Sequence, residues 1–340
     1  MRLPSRPTPV PDRTVPSAKS LHRCAILDDY QNVALQMADW GKLAGEVEFT
    51  VFNAPLGGSD EVARALQGFD MVVLMRERTA FPRRLIEALP DLKLLISTGR
   101  RNWMLDLEAA NERGIVACGT ETTGNPTTSI AIGLMLELTR RIGYESERLK
   151  HGAAWQSTLG VDIEGKTLGL IGLGRLGTKV ATIAQALGMK VVAWSQNLTA
   201  ERCASAGVGL APSKEALLRQ ADIVSLHVVL SPRTRGLIGP KELALMKPGA
   251  YLINTARGPI VEEAALIAAL RERRIAGAGL DVYDIEPLPG DHPLRKLDNV
   301  VLSPHLGYVT AENFRTSYAG VVENIRAYLD GKPIRLLQPA

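Results

Sequence analysis

The phrase Leu168-Gly-Leu-Ile-Gly172-Leu-Gly174-Arg-Leu-Gly177 constrains the folding of this chain more than any other. An apolar strand pattern runs into three glycines spaced Gly-x-Gly-x-x-Gly, and a helical pattern from Leu176 to Leu187 follows at once. The glycine spacing alone is weak. A strand before it and a helix after it are the context that a phosphate-binding turn requires. Gly172 permits the tight turn, Gly174 lets backbone approach a pyrophosphate, and Gly177 lets helix pack on strand. The N-terminus of that helix offers free N–H groups to phosphate oxygens. A chain with this turn is expected to wrap helices around a parallel sheet.

The rest of the chain agrees with that expectation. From Lys166 onward the apolar runs Thr167 to Ile171, Lys190 to Trp194, Asp222 to Leu226, Ala250 to Asn254, Ala278 to Val282 and Asn299 to Leu302 read as six strands with helices between them. That is a doubly wound parallel sheet. Upstream, Arg23 to Asp28, Glu48 to Phe52, Met71 to Met75, Leu92 to Ser97 and Ile115 to Cys118 alternate with helical stretches such as Asp60 to Gln67. This predicts a second, smaller, flavodoxin-like parallel sheet. A single long helix is expected from about Pro126 to Lys150, with Pro126 suited to its first turn. Val321, Ile325 and Leu329 share a face of a last helix, Ala311 to Leu329, whose place is expected to be back on the first domain. The fold class is therefore α/β with two Rossmann-like domains. Residues 21–122 and 308–340 form a discontinuous substrate domain, and 123–307 form the dinucleotide domain. Residues 1–20, rich in Pro, Arg and Ser, read as a disordered tail without the apolar stretch of a secretory signal.

Composition excludes several classes. A length of 340 residues suits about two domains. A net charge of +4, with no dense Lys/Arg stripe, does not suit a nucleic-acid binder; it is compatible with a small anionic ligand. The longest apolar stretches, such as Ile130 to Leu136, fall far short of the roughly 18 residues of a spanning helix. Cys24, Cys118 and Cys203 are an odd, widely spaced set with no Cys-x-x-Cys, so neither a disulfide framework nor a structural zinc site is expected, and a reducing cytoplasm fits.

Downstream of the glycine turn stand a cation, a carboxylate and an imidazole in strand-end phrases: Asn254-Thr-Ala-Arg257-Gly, Asp281-Val-Tyr-Asp-Ile-Glu286-Pro and Ser303-Pro-His305-Leu-Gly307. Ligands of open α/β sheets sit outside the carboxyl ends of strands. A guanidinium there can grip a carboxylate with two parallel hydrogen bonds. An imidazole can pass one proton near neutral pH, and a neighbouring carboxylate orients it. These are the parts needed to reduce a 2-keto acid. Asp281, Asp284 and Glu286 stand close together, and the residues alone leave the choice of carboxylate open. Of the other histidines, His227 ends a strand and could line a cofactor cleft or be structural.

Beyond the tail, nearly the whole chain resembles the D-isomer-specific 2-hydroxyacid dehydrogenases. The resemblance rests on the glycine turn, Leu226-His-x-x-Leu-x-x-x-Thr234, Met246-Lys-Pro-Gly249, Ile253-Asn-Thr-Ala-Arg257-Gly, Gly279-Leu-Asp-Val-Tyr283, Glu286-Pro and Pro304-His305-Leu-Gly. It implies that Arg257 anchors and polarises the substrate, that His305 is the acid/base and that Glu286 is its partner. It implies that the backbone of Ser97, Thr98 and Gly99 receives the substrate carboxylate, with Met75, Arg76, Arg78 and Trp103 shaping the pocket. Asp281 is expected to hold the nicotinamide amide. The other cofactor-facing positions are Gly172, Gly174, Arg175, Leu176, Gly177, Ser195, Gln196, His227, Thr234, Thr255, Ala256 and Gly307. The resemblance also implies a homodimer built through the cofactor domain and an active site in an interdomain cleft. No metal is implied.

The chain departs from the family pattern at two positions. Ser129 stands where many members have a Glu early in the connector helix. Ser195 stands where an Asp usually follows the second Rossmann strand. The second departure removes the carboxylate that bonds a ribose 2′-hydroxyl and repels a 2′-phosphate, so NAD or NADP is expected, with NADPH favoured weakly. The expected activity is hydride transfer between such a cofactor and a small anionic 2-keto acid, as in glyoxylate or hydroxypyruvate reductases. Action on formate is disfavoured, since those enzymes carry Gln at the Glu286 position. The alternative is a dinucleotide-sensing scaffold like the C-terminal-binding-protein corepressors, which share this fold and trio.

Overall fold

The computed structural model describes residues 21–339 and divides them into two compact units. The tail expected at 1–20 lies outside the described residues. One unit holds the described residues up to Thr122 together with those from Arg315, and the other is Thr123–Phe314.

In the first unit, strands β1 (His22–Ile26), β2 (Val47–Val51), β3 (Met71–Leu74), β4 (Leu94–Ser97) and β5 (Val116–Gly119) form one parallel sheet in the order β2-β1-β3-β4-β5. Met71–Leu74 and Leu94–Ser97 are buried throughout, as central strands covered on both faces must be. Helices α1 (Ser59–Ala65), α2 (Arg83–Glu87) and α3 (Leu107–Glu112) bring Val62, Leu85, Ile86 and Ala109 into the core. The order reverses between β1 and β3, the switch-point arrangement of flavodoxin-like sheets. The chain's end returns antiparallel along β5. The Gly119 N–H donates to Arg335 O and the Leu337 N–H to Ala117 O, both at 2.9 Å.

In the second unit, β6 (Thr167–Ile171), β7 (Lys190–Trp194), β8 (Gly209–Leu210), β9 (Ile223–Leu226), β10 (Tyr251–Asn254), β11 (Gly277–Leu280) and β12 (Val300–Leu302) form a parallel sheet in the order β12-β11-β10-β9-β6-β7-β8. Six of these strands answer to the apolar runs in the sequence. The seventh, β8, is two exposed residues at the sheet edge, too short to leave a pattern. Between the strands, α6 (Arg175–Ala186), α7 (Ala200–Ser205), α8 (Lys214–Gln220), α9 (Pro240–Leu245) and α10 (Glu263–Arg271) cover the two faces and bury one cluster around Leu252 and Leu280 and another around Leu170 and Val180.

The long helix expected over 126–150 is two helices, α4 (Pro126–Arg140) and α5 (Ile142–Lys150). Arg141 between them is left-handed, with φ 52°. The break has local partners. The Glu137 carboxylate accepts the Gly143 N–H at 2.8 Å, and the Val161 N–H takes the Thr139 carbonyl at 2.8 Å. Apolar spacing had also run out: Leu134 and Leu138 are buried, whereas α5 buries nothing. A last helix, α11 (Ala311–Leu329), crosses the boundary into the first unit. There Val321 and Ile325 are buried, and the Asn324 amide donates to Gly119 O at 2.8 Å.

Candidate active site

The glycine turn follows β6 and opens α6, so its geometry comes from the strand it ends and the helix it starts. Gly172 has φ 103°, and a Cβ there would stand 2.6 Å from the His227 carbonyl oxygen. A Cβ on Gly177 would collide with the Gly172 carbonyl. Both must be glycine for steric reasons. Gly174 is different. A Cβ there meets nothing within 4 Å, and no side chain caps α6. The turn thus presents open space and uncapped helix N–H groups, a fit for a dinucleotide's phosphates. Arg175 is exposed and reaches Gly124 O at 3.5 Å. Leu176 is half-buried in the same first turn.

After β7 the chain turns at Ser195-Gln196-Asn197, with the Leu198 N–H donating to Ser195 O at 3.1 Å. Ser195 is half-buried and Gln196 exposed. His227 follows β9. Its Nε2 is 2.9 Å from Ser225 Oγ, and burial pushes the imidazole pKa down to about 4. It is a neutral histidine at pH 7. Thr234 folds the next loop, its hydroxyl donating to Val229 O at 2.6 Å and accepting the Ser231 N–H at 2.8 Å.

Beyond β10, the Asn254 side chain pins the turn that carries Arg257. Its amide donates to Arg257 O at 2.9 Å and its oxygen accepts the Ala256 N–H at 3.0 Å. Arg257 is half-buried, and its Nη1 donates to Ala256 O at 2.7 Å. Gly258 lies so close to the Tyr283 backbone that any side chain there would collide with it. Thr255 is 7% exposed, and its hydroxyl is buried without a hydrogen-bond partner. Such a group at the carboxyl edge of the sheet suits an added ligand.

His305 and Glu286 meet. Nδ1 of His305 lies 2.6 Å from Glu286 Oε2, and the side chains are 17% and 25% exposed. Of the carboxylates left open by the sequence, Glu286 is the one bonded to His305. The other Glu286 oxygen accepts the Tyr283 N–H at 3.0 Å. The His305 ring stands edge-on to Tyr308, 5.4 Å between centroids.

His305 sits at φ 53°, a left-handed conformation costly for a residue with a Cβ. Asp281 holds it there. One carboxylate oxygen accepts the Ser303 hydroxyl at 2.6 Å and the Leu306 N–H at 2.7 Å, and the other accepts the Gly307 N–H at 2.9 Å. Thr127 donates to Gly307 O at 2.7 Å. Burial pushes the Asp281 carboxyl above its usual range, opposed by the Ser303 hydroxyl, the His305 charge and the two N–H groups. The resemblance implies that Asp281 holds a nicotinamide amide; in the structure its oxygens also accept bonds from the backbone and side chain around His305. Ser303, Thr127, Asn254 and the Tyr283 N–H are contributions that sequence reading missed. Ser303, Asn254 and Tyr283 did lie inside the quoted phrases.

The remaining histidines are committed elsewhere: His292 to Glu263 at 3.0 Å and the Leu294 N–H at 3.3 Å, His151 to Glu147 O at 2.9 Å, and His22 to Asp70 at 3.7 Å.

In the first unit, Ser97, Thr98 and Gly99 end β4 in the interior. Two of the N–H groups expected to receive a carboxylate are already used. Thr98 donates to Leu74 O at 2.9 Å and Gly99 to Thr120 Oγ1 at 3.0 Å. The Asn102 amide bonds Ser97 Oγ at 3.2 Å. Arg76, left-handed at φ 53°, packs its guanidinium where a Gly99 Cβ would be. Arg78 lies 4.8 Å over the Tyr30 ring, Met75 is buried and Trp103 is exposed.

Among the described residues no cluster of His, Cys, Asp and Glu is placed to hold a metal, and no helix is long and apolar enough to cross a membrane.

Residues 132–307 match the family described as D-isomer specific 2-hydroxyacid dehydrogenase, NAD binding domain. The chain is 31% identical over 315 residues to a hydroxypyruvate reductase of Blautia hydrogenotrophica, covering 88% of this chain and 94% of that one. It is 37% identical over 276 residues to a D-3-phosphoglycerate dehydrogenase of Methanocaldococcus jannaschii, covering 80% of this chain but only 52% of that longer protein. A solved phosphoglycerate oxidoreductase from Vibrio cholerae superposes with a TM-score of 0.87 at 31% identity, over 92% of this chain and all of that one. The chain belongs to the D-isomer specific 2-hydroxyacid dehydrogenase family.

Proposed function

We propose that this chain is a 2-keto-acid reductase working on small anionic acids such as glyoxylate or hydroxypyruvate, and forming the D-2-hydroxy acid. The observation that carries the reading is the His305–Glu286 pair at 2.6 Å, with the Tyr283 backbone beside it packed on Gly258 of the Arg257 turn, in a unit that matches an NAD-binding domain. A reduced nicotinamide, when bound, supplies hydride to the carbonyl carbon. The protein's part is charge and proton. Arg257 holds the substrate carboxylate and polarises the carbonyl, stabilising negative charge as it develops on oxygen. His305 gives that oxygen a proton from Nε2, while Nδ1 keeps its proton in the bond to Glu286. The hydride and the proton together make the alcohol, and the imidazole ends neutral. Asp281 keeps the loop, and so the ring, in place.

The cofactor is a nicotinamide dinucleotide, and we assign acceptance of NADPH at least equal to that of NADH. No carboxylate stands between Ser195 and Ala200, where an acid would exclude a 2′-phosphate. We also assign a homodimer formed through the second unit. Ile142, Tyr144, Leu149, Trp155 and Leu159 are all exposed along α5 and the segment after it, a concentration of large apolar side chains that suits an interface. Three buried free thiols suit a reducing cytoplasm.

Steady-state kinetics on a panel of 2-keto acids, with both reduced cofactors, test the reading. Turnover on at least one acid is expected. Cofactor binding without turnover on any of them would favour the sensing scaffold, which the names of the relatives do not support.

A further inference from the structure

Arg202 lies outside the trio and outside the glycine motif, yet it is fastened to the glycine turn. It sits on α7, seven residues beyond Ser195. Its Nε and Nη2 both approach the Leu173 carbonyl at 3.4 Å, and Nη2 donates to Thr178 Oγ1 at 3.1 Å. Leu173 lies between Gly172 and Gly174, and Thr178 is in the first turn of α6. One side chain therefore joins the segment after β7 to the phosphate turn.

Three features make this more than a brace. The charge is not neutralised: among the described residues no carboxylate lies within ion-pair distance of Arg202. Its neighbour Glu201, the nearest acid in sequence, is held instead by Thr199 and its own backbone N–H, which keep its carboxyl below the usual range. The guanidinium is only partly used. Both contacts come from Nε and Nη2, and the Nη1 N–H groups meet no acceptor among the described residues. Finally, the anchoring to Leu173 and Thr178 fixes a long side chain in advance, so a ligand need not bear that ordering cost. The whole lies where an adenosine ribose rests in such folds, between the end of the second strand and the glycine turn.

We propose that Arg202 is a cofactor-specificity residue: a pre-positioned guanidinium that takes the 2′-phosphate of an adenosine 2′,5′-bisphosphate moiety, with Ser195 leaving the space. The proposal rests on the reading that this turn holds a dinucleotide able to carry that phosphate. A dianionic phosphate gains charge-assisted hydrogen bonds from Arg202, whereas a ribose 2′-hydroxyl gains little from it.

The test is titration of the full chain with 5′-ADP and adenosine 2′,5′-bisphosphate by calorimetry, in wild type, Arg202→Gln and Arg202→Lys. Wild type is expected to prefer the bisphosphate by about ten- to hundredfold, as one or two charge-assisted bonds provide. Arg202→Gln is expected to lose most of that preference while its affinity for 5′-ADP stays within a factor of about three. Arg202→Lys is expected to keep part of it. In wild type the preference is also expected to shrink as salt rises to about 0.5 M, since a charge carries it. No wild-type preference would overturn the 2′-phosphate reading and the proposal with it. A wild-type preference that survives in Arg202→Gln, or that ignores salt, would overturn the Arg202 assignment alone. Equal loss for both ligands would make Arg202 a brace of the turn and nothing more.

Discussion

At the scale of single residues, the surroundings of each histidine fix its state. Three histidine environments illustrate this. His305 is bonded to a carboxylate, His292 uses both nitrogens locally, and His227 is held neutral by burial. The His227 pKa, lowered to about 4, makes a stability statement. Between the ordinary value near 6.5 and about 4, the unfolded chain takes up a proton that the folded chain refuses, so stability falls as pH falls through that window. Urea unfolding at pH 7 and pH 5 should show a smaller acid loss in His227→Gln than in wild type, by at most about 1.4 kcal/mol per pH unit. An equal loss in both would show that His227 titrates normally. Arg257→Lys should lower kcat/KM on the best keto acid by at least about tenfold, because an ammonium cannot present two parallel donors to a carboxylate. Full activity in the lysine variant would count against two-pronged binding. Arg257 and His305 stand out in the sequence as candidates because each follows a strand phrase. The choice of Glu286 over Asp281 and Asp284 was not legible there, since all three fall within six positions and only the fold decides which one turns toward the ring.

At the scale of elements, strands were read more surely than joints. Four- and five-residue apolar runs such as Met71–Leu74 and Thr167–Ile171 are buried on both faces and leave an unmistakable pattern. The two-residue β8 leaves none. The break at Arg141 depends on Glu137 reaching Gly143 and on Val161 reaching Thr139, contacts that a helical periodicity does not encode. The return of the chain along β5 was likewise not anticipated. Its energetic weight can be measured. Truncation after Lys332 removes two backbone hydrogen bonds, the Arg335 bonds to Asn324 and Glu323 and the packing of Leu337, at least about 2–3 kcal/mol together. The melting temperature should fall by several degrees with catalytic constants little changed. No fall would mean that the strap contributes nothing to the sheet it borders.

At the scale of the whole molecule, the two parallel sheets followed from strand–helix alternation and the glycine turn. The apolar residues of α5 and the segment behind it were not singled out, because Trp155 and Leu159 follow no helical or strand period. Trp155→Glu with Leu159→Asp should halve the mass seen by light scattering; an unchanged mass would remove this patch from the assembly. The central claim is that this chain reduces a 2-keto acid with His305 as the proton donor. The most direct measurement is turnover of the best keto acid by His305→Ala, beside the variant's Kd for reduced cofactor. Turnover should drop by about 10²- to 10⁴-fold while Kd stays within a factor of a few. Turnover close to wild type would contradict the account.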